Sequence, residues 1–485
     1  MAANFFFYDL ETSGFSPRAA RIMQFAGQRT DADLKPLGEP VNVLIKLTPD
    51  VLPDPDAVLL TGITPQQTLQ DGLTEAEFLK YFYDEVVQSD TTFVGFNSVR
   101  FDDEFMRYVH YRNFYDAYEW QWRDGRSRWD ILDLVRMTRA LRPEGIEWPF
   151  TEEGKPTNRL ELLTKLNALD HTHAHDALSD VYATIAVARL VRGKQPDLFK
   201  YLFNNRSKKA VAELVLKGDP FIYTTGRYSG TTLNTSAAVL LAKHPQQDSG
   251  IVYNLRHDPT PFLNMSVDEL VACWQYDPDP AALRLPVKTI KYNRCPAVAP
   301  LGVIKDPATQ ERLDLGLDTI AKHWAILKQH QANFAQKILQ AQAKLDDRRS
   351  AQQGVLVTDS SNVDGQLYDG FFPAGDKSAM QAVRTAPPEE LTELAASLHD
   401  ARLKTLLPLY KARNYPSSLT SEERAQWDSF CAEKLFSGEQ ASRLAEYFAR
   451  LGELSKDNPA TGDKAFLLQE LQLYGESIMP GDVTA

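Results

Sequence analysis

Between residues 1 and 195, apolar runs of strand length alternate with stretches of helical period, the order expected of an α/β domain. The runs 5–10, 22–30, 41–47 and 92–96 read as strands, and 74–86, 102–111, 130–141, 159–166 and 176–191 read as helices. A second part, 196–350, opens on the basic helix YLFNNRSKKAVAELVL and continues in short β-like runs: FIYTTGRY, AAVLLA, GIVYNL and PVKTIKYN. Gly, Pro and Asn break these runs, which predicts a small barrel or sheet. One long amphipathic helix follows, with Leu317, Ile320, Trp324, Leu327, Phe334, Ile338 and Leu345 on one stripe. The polar, aperiodic stretch 346–365 reads as a linker into a third part, 351–485, helical to its end. There Leu391, Leu394, Leu398, Leu403 and Leu406 recur at helix spacing. Thr420 with Glu423, and Ser437 with Gln440, read as capping boxes that satisfy the free amides of two helix starts.

Length and composition agree with that division. A chain of 485 residues is too long for one ordinary domain, and 43% apolar residues is normal for a globular protein. No charge-free apolar run approaches the ~18 residues of a membrane span. The acids Asp9 and Glu11 follow the short apolar start at once, which speaks against a secretory signal and predicts a cytoplasmic protein. Cys273, Cys295 and Cys431 are far apart, without C-x-x-C spacing, an argument against disulfides and structural zinc. The net charge of −12 argues against indiscriminate nucleic-acid binding. Its distribution is uneven, however: arginines stand at 100, 107, 112, 123, 126, 128, 136, 139 and 142, as expected of a basic channel in an acidic protein.

The candidate chemistry lies in the first part. Asp9 and Glu11 interrupt the apolar run FFFYDLETSG two positions apart, so on a strand both project from one face. Two carboxylates so placed repel each other unless a cation compensates them, and oxygen donors select magnesium or manganese over zinc. Asp102, in GFNSVRFDDEF, follows a strand-like run and opens a helix. Its neighbours Asp103 and Glu104 are equally suited to the first turn, where the helix dipole favours any acid, and sequence does not separate the three. His175 stands five residues before Asp180 in HAHDALSDVYATI, just ahead of a helix that carries Asp180. A neutral imidazole there is suited to take a proton from water. His171 and His173 complete an H-x-H-x-H cluster, for which zinc is the competing reading and surface placement the ordinary one. Four carboxylates and one histidine are the set that holds two divalent metals and activates a water, which predicts a metal-dependent nuclease.

The segments YDLETSG, GFNSVRFDDEF and HAHDALSD, in this order, resemble the three exonuclease motifs of the DnaQ-like superfamily in its histidine-bearing (DEDDh) branch. LTGITPQQ, YRNFYDAYEW, SRWDILDLVRM, ALRPEGIEWP, NRLELLTK, DGQLYDGFF and KARNYP narrow the likeness to the bacterial exonuclease I family of single-strand-specific deoxyribonucleases. That resemblance runs from the first strand to the C-terminal helices. It implies a ribonuclease H-like exonuclease domain with a mixed sheet (1–195), a small Src-homology-3-like β-barrel domain ending in a long helix (196–350) and an all-helical domain (351–485), together a C-shaped clamp.

It also implies roles. Asp9, Glu11, Asp102 and Asp180 would hold two Mg2+ ions, with Mn2+ able to substitute; Asp102 is favoured over Asp103, and His175 is the general base. Glu11 and Arg159 would contact the terminal nucleotide. Arg107, Tyr118, Trp122 and Arg136 fall on strand-tracking positions, which Lys208 and Lys288 carry into the second part, and Gln366, Tyr368 and Phe371 close around the strand. Arginines pair with phosphates while aromatic faces stack on unpaired bases, though core packing also accounts for Tyr118, Trp122 and Phe371. Arg142, Tyr201, Lys305 and Lys328 match positions that bind the acidic tail of the bacterial single-stranded DNA-binding protein. At two of these the family has arginine where this chain has lysine, which keeps the charge but loses the bidentate fork. A monomer acting on single-stranded DNA with a free 3′ end is the expectation. The rivals are an RNA exonuclease resembling oligoribonuclease or ribonuclease T, and a proofreading module of a polymerase. The two further parts of the chain argue against the first. The absence of a polymerase-like segment argues against the second.

Overall fold

The computed structural model describes residues 4–171, 176–275, 278, 279, 281–354, 360–437, 442–457 and 462–479. The chain divides into two compact units, one of Met1–Arg128, His171–Tyr182 and Val357–Ala485, the other of Trp129–Asp170 and Ala183–Leu356.

The first unit is organised by β1 (Asn4–Thr12), which pairs antiparallel with β2 (Ile22–Thr30) and parallel with β4 (Thr91–Gly95). With β3 (Val41–Leu44) and β5 (Ser127–Asp130), the sheet order is β3-β2-β1-β4-β5. A central strand buried on both faces explains why β1 reads as a continuous apolar run rather than an alternating one. Phe6, Tyr8 and Leu10 point into a core with Phe25, Phe78, Phe82, Phe93 and Trp120. By strand period, Asp9 and Glu11 project from the opposite face. The register shifts between Glu11 and Thr12, where the strand ends.

Several boundaries differ from the sequence reading. Residues 74–86 form an α-helix, Glu75–Tyr81, that continues as a π-helical turn, Phe82–Val86. Two helices opened by proline, Pro55–Thr61 and Pro65–Asp71, and the four-residue strand β5 went unanticipated. The helix Asp102–Arg112 turns Tyr108 and Tyr111 toward Leu403, Leu406, Tyr410 and Trp427 of the C-terminal segment, one shared core. Leu391 and Leu394 lie on a run of 3-10 turns, Pro388–Ser397, whose period of three fits their spacing, and Leu403 and Leu406 on the α-helix Ala401–Asn414. Thr420 and Glu423 form the expected capping box. Ser437 caps the end of that helix, its hydroxyl donating to the Glu433 carbonyl; Gln440, the other half of the second expected box, lies outside the described residues.

In the second unit β6 (Phe221–Thr224), β7 (Thr235–Lys243), β8 (Ser249–Asn254), β9 (Val287–Lys291) and β10 (Ala297–Pro300) form an antiparallel sheet ordered β10-β6-β7-β8-β9. The expected basic helix is two helices, Pro196–Asn204 and Lys208–Val215, the second capped by the Ser207 hydroxyl. The long helix runs Leu317–Gly354, so the start of the expected linker is helical, and its last described part, Ser360–Gly365, is a 3-10 helix. Among the described residues no helix is long and apolar enough to cross a membrane.

Candidate active site

The acids of β1 meet Asp180, which the helix Ala177–Lys194 brings up from its first turn. A ligand oxygen of each of Asp9, Glu11 and Asp180 lies within 4.8 Å of the other two. Asp102 joins from the start of its helix, its Oδ1 accepting a hydrogen bond from the Leu10 amide at 3.2 Å, between the two β1 acids.

The three consecutive acids that sequence left unseparated have different partners. Asp103 accepts from the Tyr8 hydroxyl at 2.5 Å and pairs with Arg128. Glu104 pairs with Arg107 at 2.7 Å and accepts from the Tyr368 hydroxyl at 2.5 Å. Asp102 is the member of the three whose charge raises the carboxyls of both Asp9 and Glu11.

That cluster is electrostatically unfavourable as it stands. Burial, followed by the charges of Asp102, Glu11, Asp180 and Asp176, holds the Asp9 carboxyl well above the usual range. Burial, then Asp180, Asp102 and Asp176, pushes Glu11 up to about 9. Crowded, half-dehydrated carboxylates that cannot all ionise fit a hard divalent cation, whose charge would release their protons.

Residues outside the expected set also shape the site. Asp176 accepts from the Gln24 side chain at 3.2 Å and from the Ser179 amide at 3.1 Å, so it caps the helix while adding charge to the cluster. Its cap position is readable in the sequence; its electrostatic share is not. His171, read as a surface residue, places Nε2 2.5 Å from Asp180 Oδ1 and is nearly enclosed, which corrects that reading. His173 and His175 lie outside the described residues.

The residues expected along a strand path fall into two sets. In the first unit Trp122 is 63% exposed, Tyr118 and Tyr368 are exposed and Phe371 is fully so, which removes core packing as their explanation. Gln366 is half-buried. Arg107 is buried, with Nη2 donating to Gln121 Oε1 at 3.2 Å and its guanidinium 5.2 Å from the Tyr118 ring. The arginine-rich stretch is therefore less of an open channel than its composition suggests: Arg107, Arg112, Arg126 and Arg139 are all buried.

In the second unit Arg136 pairs with Asp133 at 2.7 Å and packs against Gly226, where a Cβ would come within 2.9 Å of Nη2. Lys208 is exposed and pairs with Asp248, and Arg159 is exposed and pairs with Glu161 at 2.5 Å. Lys288 lines a cavity of 480 Å³ with Arg227, Arg284, Lys291 and Trp274, residues that sequence did not single out. Burial and the Arg227 charge lower its ammonium pKa. Arg142 and Lys305 belong to one neighbourhood, since Asp306 is held below its usual range by hydrogen bonds from Thr309 and also by Arg142. Lys328 is exposed, 5.9 Å from the Trp324 ring, and Tyr201 is half-buried.

The fold and the acid cluster define a metal-dependent nuclease of the exonuclease class, and the family model described as "Exonuclease" matches residues 6–188. The models described as "Exonuclease I SH3-like domain" and "Exonuclease I C-terminal domain" match 206–343 and 361–478. The chain is 39% identical to the exodeoxyribonuclease I of Haemophilus influenzae, over 98% of this chain and 99% of the relative. The crystal structure of Escherichia coli exonuclease I in complex with a dA16 oligonucleotide matches at a TM-score of 0.92 and 37% identity, covering 98% of this chain and 100% of that one. A crystal structure of SSB/exonuclease I with an inhibitor matches at 0.88 and 36%, covering 99% and 100%. The chain belongs to the exodeoxyribonuclease I family. Membership of the exonuclease family implies dependence on a divalent metal.

Proposed function

We propose that this chain is a 3′–5′ exodeoxyribonuclease that degrades single-stranded DNA from a free 3′ end to 5′-mononucleotides. The convergence of Asp9, Glu11 and Asp180, with Asp102 beside them, carries this reading. These four residues would hold two Mg2+ ions, or Mn2+ in their place, which supply charge neutralisation at the scissile phosphate and lower the pKa of the attacking water. His175 takes the proton from that water as the new P–O bond forms and the 3′ oxygen leaves. Glu11 and Arg159 hold the terminal nucleotide. Arg107, Tyr118, Trp122, Arg136, Lys208, Lys288, Gln366 and Tyr368 track the strand. Arg142, Tyr201, Lys305 and Lys328 would receive the acidic tail of the single-stranded DNA-binding protein, a partner suggested by the SSB/exonuclease I relative. The functional parts would be 1–195, 196–350 and 351–485, in a cytoplasmic monomer.

End-labelled ladders on single-stranded DNA, duplex DNA and RNA, with and without magnesium, test the reading. The expected result is metal-dependent 3′ shortening of single-stranded DNA alone; equal degradation of a 3′-blocked strand would overturn the polarity. His175→Ala should lower the rate by roughly 10²–10⁴ with binding retained, whereas His173→Ala should be nearly silent. Equal effects of the two would remove the general-base assignment.

A further inference from the structure

Arg107 is held in an arrangement that already contains a stand-in for phosphate. Its Nη1 donates to Glu104 Oε1 at 2.7 Å, and the other oxygen of that carboxylate accepts from the Tyr368 hydroxyl at 2.5 Å. Arg107 Nη1 also lies 3.5 Å from the Tyr368 oxygen. Two buried donors in the same cluster, Arg107 Nε and Gln121 Nε2, have no hydrogen-bond partner among the described residues. The cluster thus offers more donors than acceptors, which is the imbalance an oxyanion corrects.

We propose that Glu104 is an internal competitor for the phosphodiester backbone: it occupies the Arg107 and Tyr368 donors that a strand would otherwise take, and Gln121 is a further contact for the same phosphate. Strand contact at this point is then an exchange of one anion for another rather than the addition of a new ion pair. An exchange lowers the affinity gained per phosphate and lets the strand be released as readily as it is held. Glu104 also belongs to the first turn of the helix that begins with Asp102, so the exchange takes place two residues from the acid cluster. The proposal rests on the strand-path reading of Arg107 and Tyr368 given above.

The test is equilibrium binding of a single-stranded oligonucleotide to the full chain in chelator, over a range of salt, for wild type, Glu104→Gln, Arg107→Ala and the double variant. Glutamine keeps the shape and an acceptor for Tyr368 while removing the competing charge. Glu104→Gln should bind several-fold more tightly, with a salt slope steeper by up to about 0.7, one single-strand phosphate contact. During hydrolysis its KM and kcat should fall together, because a strand held harder is advanced more slowly; a purely structural role would not produce that pattern. In the Arg107→Ala background the same substitution should leave the slope unchanged. Weaker or unaltered binding by Glu104→Gln, with Arg107→Ala still lowering the slope, overturns the competitor role alone. An unaltered slope in Arg107→Ala, with Glu104→Gln unaltered as well, overturns the strand reading on which it rests. If Glu104→Gln melts well below wild type, Gln121→Ala supplies the independent measurement, expected to weaken binding without changing the charge of the site; unchanged binding there would overturn the phosphate contact.

Discussion

Asp9 and Glu11 are costly residues in the metal-free protein, and the direction of that cost is testable. A carboxyl raised in the folded state binds its proton more tightly there than in the unfolded chain. Stability without metal should therefore fall as pH rises from the ordinary carboxylate range toward about 9, the value to which Glu11 is pushed. Magnesium should flatten that dependence and release protons on binding, measurable by thermal melts across pH and by calorimetry in buffers of different ionisation heat. Asp9→Ala or Asp180→Ala should abolish turnover while leaving the metal-free melting temperature level or higher, because each relieves repulsion. A large fall in melting temperature with activity retained would recast both as structural acids.

At the scale of the element, the start of the helix Asp102–Arg112 is fixed by side chains rather than by a capping residue, since its N-cap makes no side-chain hydrogen bond. Asp103 does this by receiving the Tyr8 hydroxyl of β1 and the Arg128 guanidinium of β5. Removing it takes a charge partner from the largely buried Arg128 and the acceptor from the buried Tyr8 hydroxyl. Asp103→Ala should cost about 3–5 kcal/mol in urea denaturation, in the range for breaking a buried pair. Asp102→Ala should cost little stability and eliminate activity. Equal destabilisation by the two would mean that their distinct partners do not divide their roles.

For the whole molecule, two electrostatic features matter. Within the first unit Arg413 bonds Asp50 and Asp364 at 2.8 Å, Arg21 bonds Asp364 at 2.6 Å and Lys434 bonds Asp50 at 2.7 Å, all buried. Three of these contacts, Arg413–Asp50, Arg21–Asp364 and Lys434–Asp50, tie residues more than 300 positions apart. Against the raising effect of burial, Arg413 and its neighbours hold both carboxyls far below their usual range. Their contribution is thus complete at neutral pH and is lost as pH falls below the ordinary carboxylate range toward their depressed folded values. Asp364→Ala should flatten the acid limb of the stability profile and lower the neutral plateau. The second feature is how a chain of net charge −12 holds a polyanion. Arg136→Ala and Lys208→Ala should each lower the salt slope of single-strand binding by about 0.7. Trp122→Ala should cost roughly 1–3 kcal/mol with the slope unchanged, the signature of stacking. An unaltered slope in both basic variants would place the strand elsewhere.

The sequence by itself determined the elements whose signal is local. The two-residue spacing of Asp9 and Glu11 in an apolar run made them neighbours on a strand, and the stripe from Leu317 to Leu345 made a long helix. The Thr420–Glu423 capping box is equally local. The family motifs added the order of the parts. What depends on residues distant in the chain was not legible. The short strands β5 and β10 exist through their pairing partners: SRWD carries one apolar residue and AVAP is four small residues ending in proline, so neither has a period that announces a strand. Tertiary structure also divided Asp102 from Asp103 and Glu104, set His171 against Asp180 and buried Arg107 beside Glu104. Each of those outcomes turns on which charge or hydroxyl the fold brings within about 3 Å in a site short of water, where an unmatched carboxylate or guanidinium is costly. Helical and strand periods fix which face a side chain takes; they do not choose the partner it meets there.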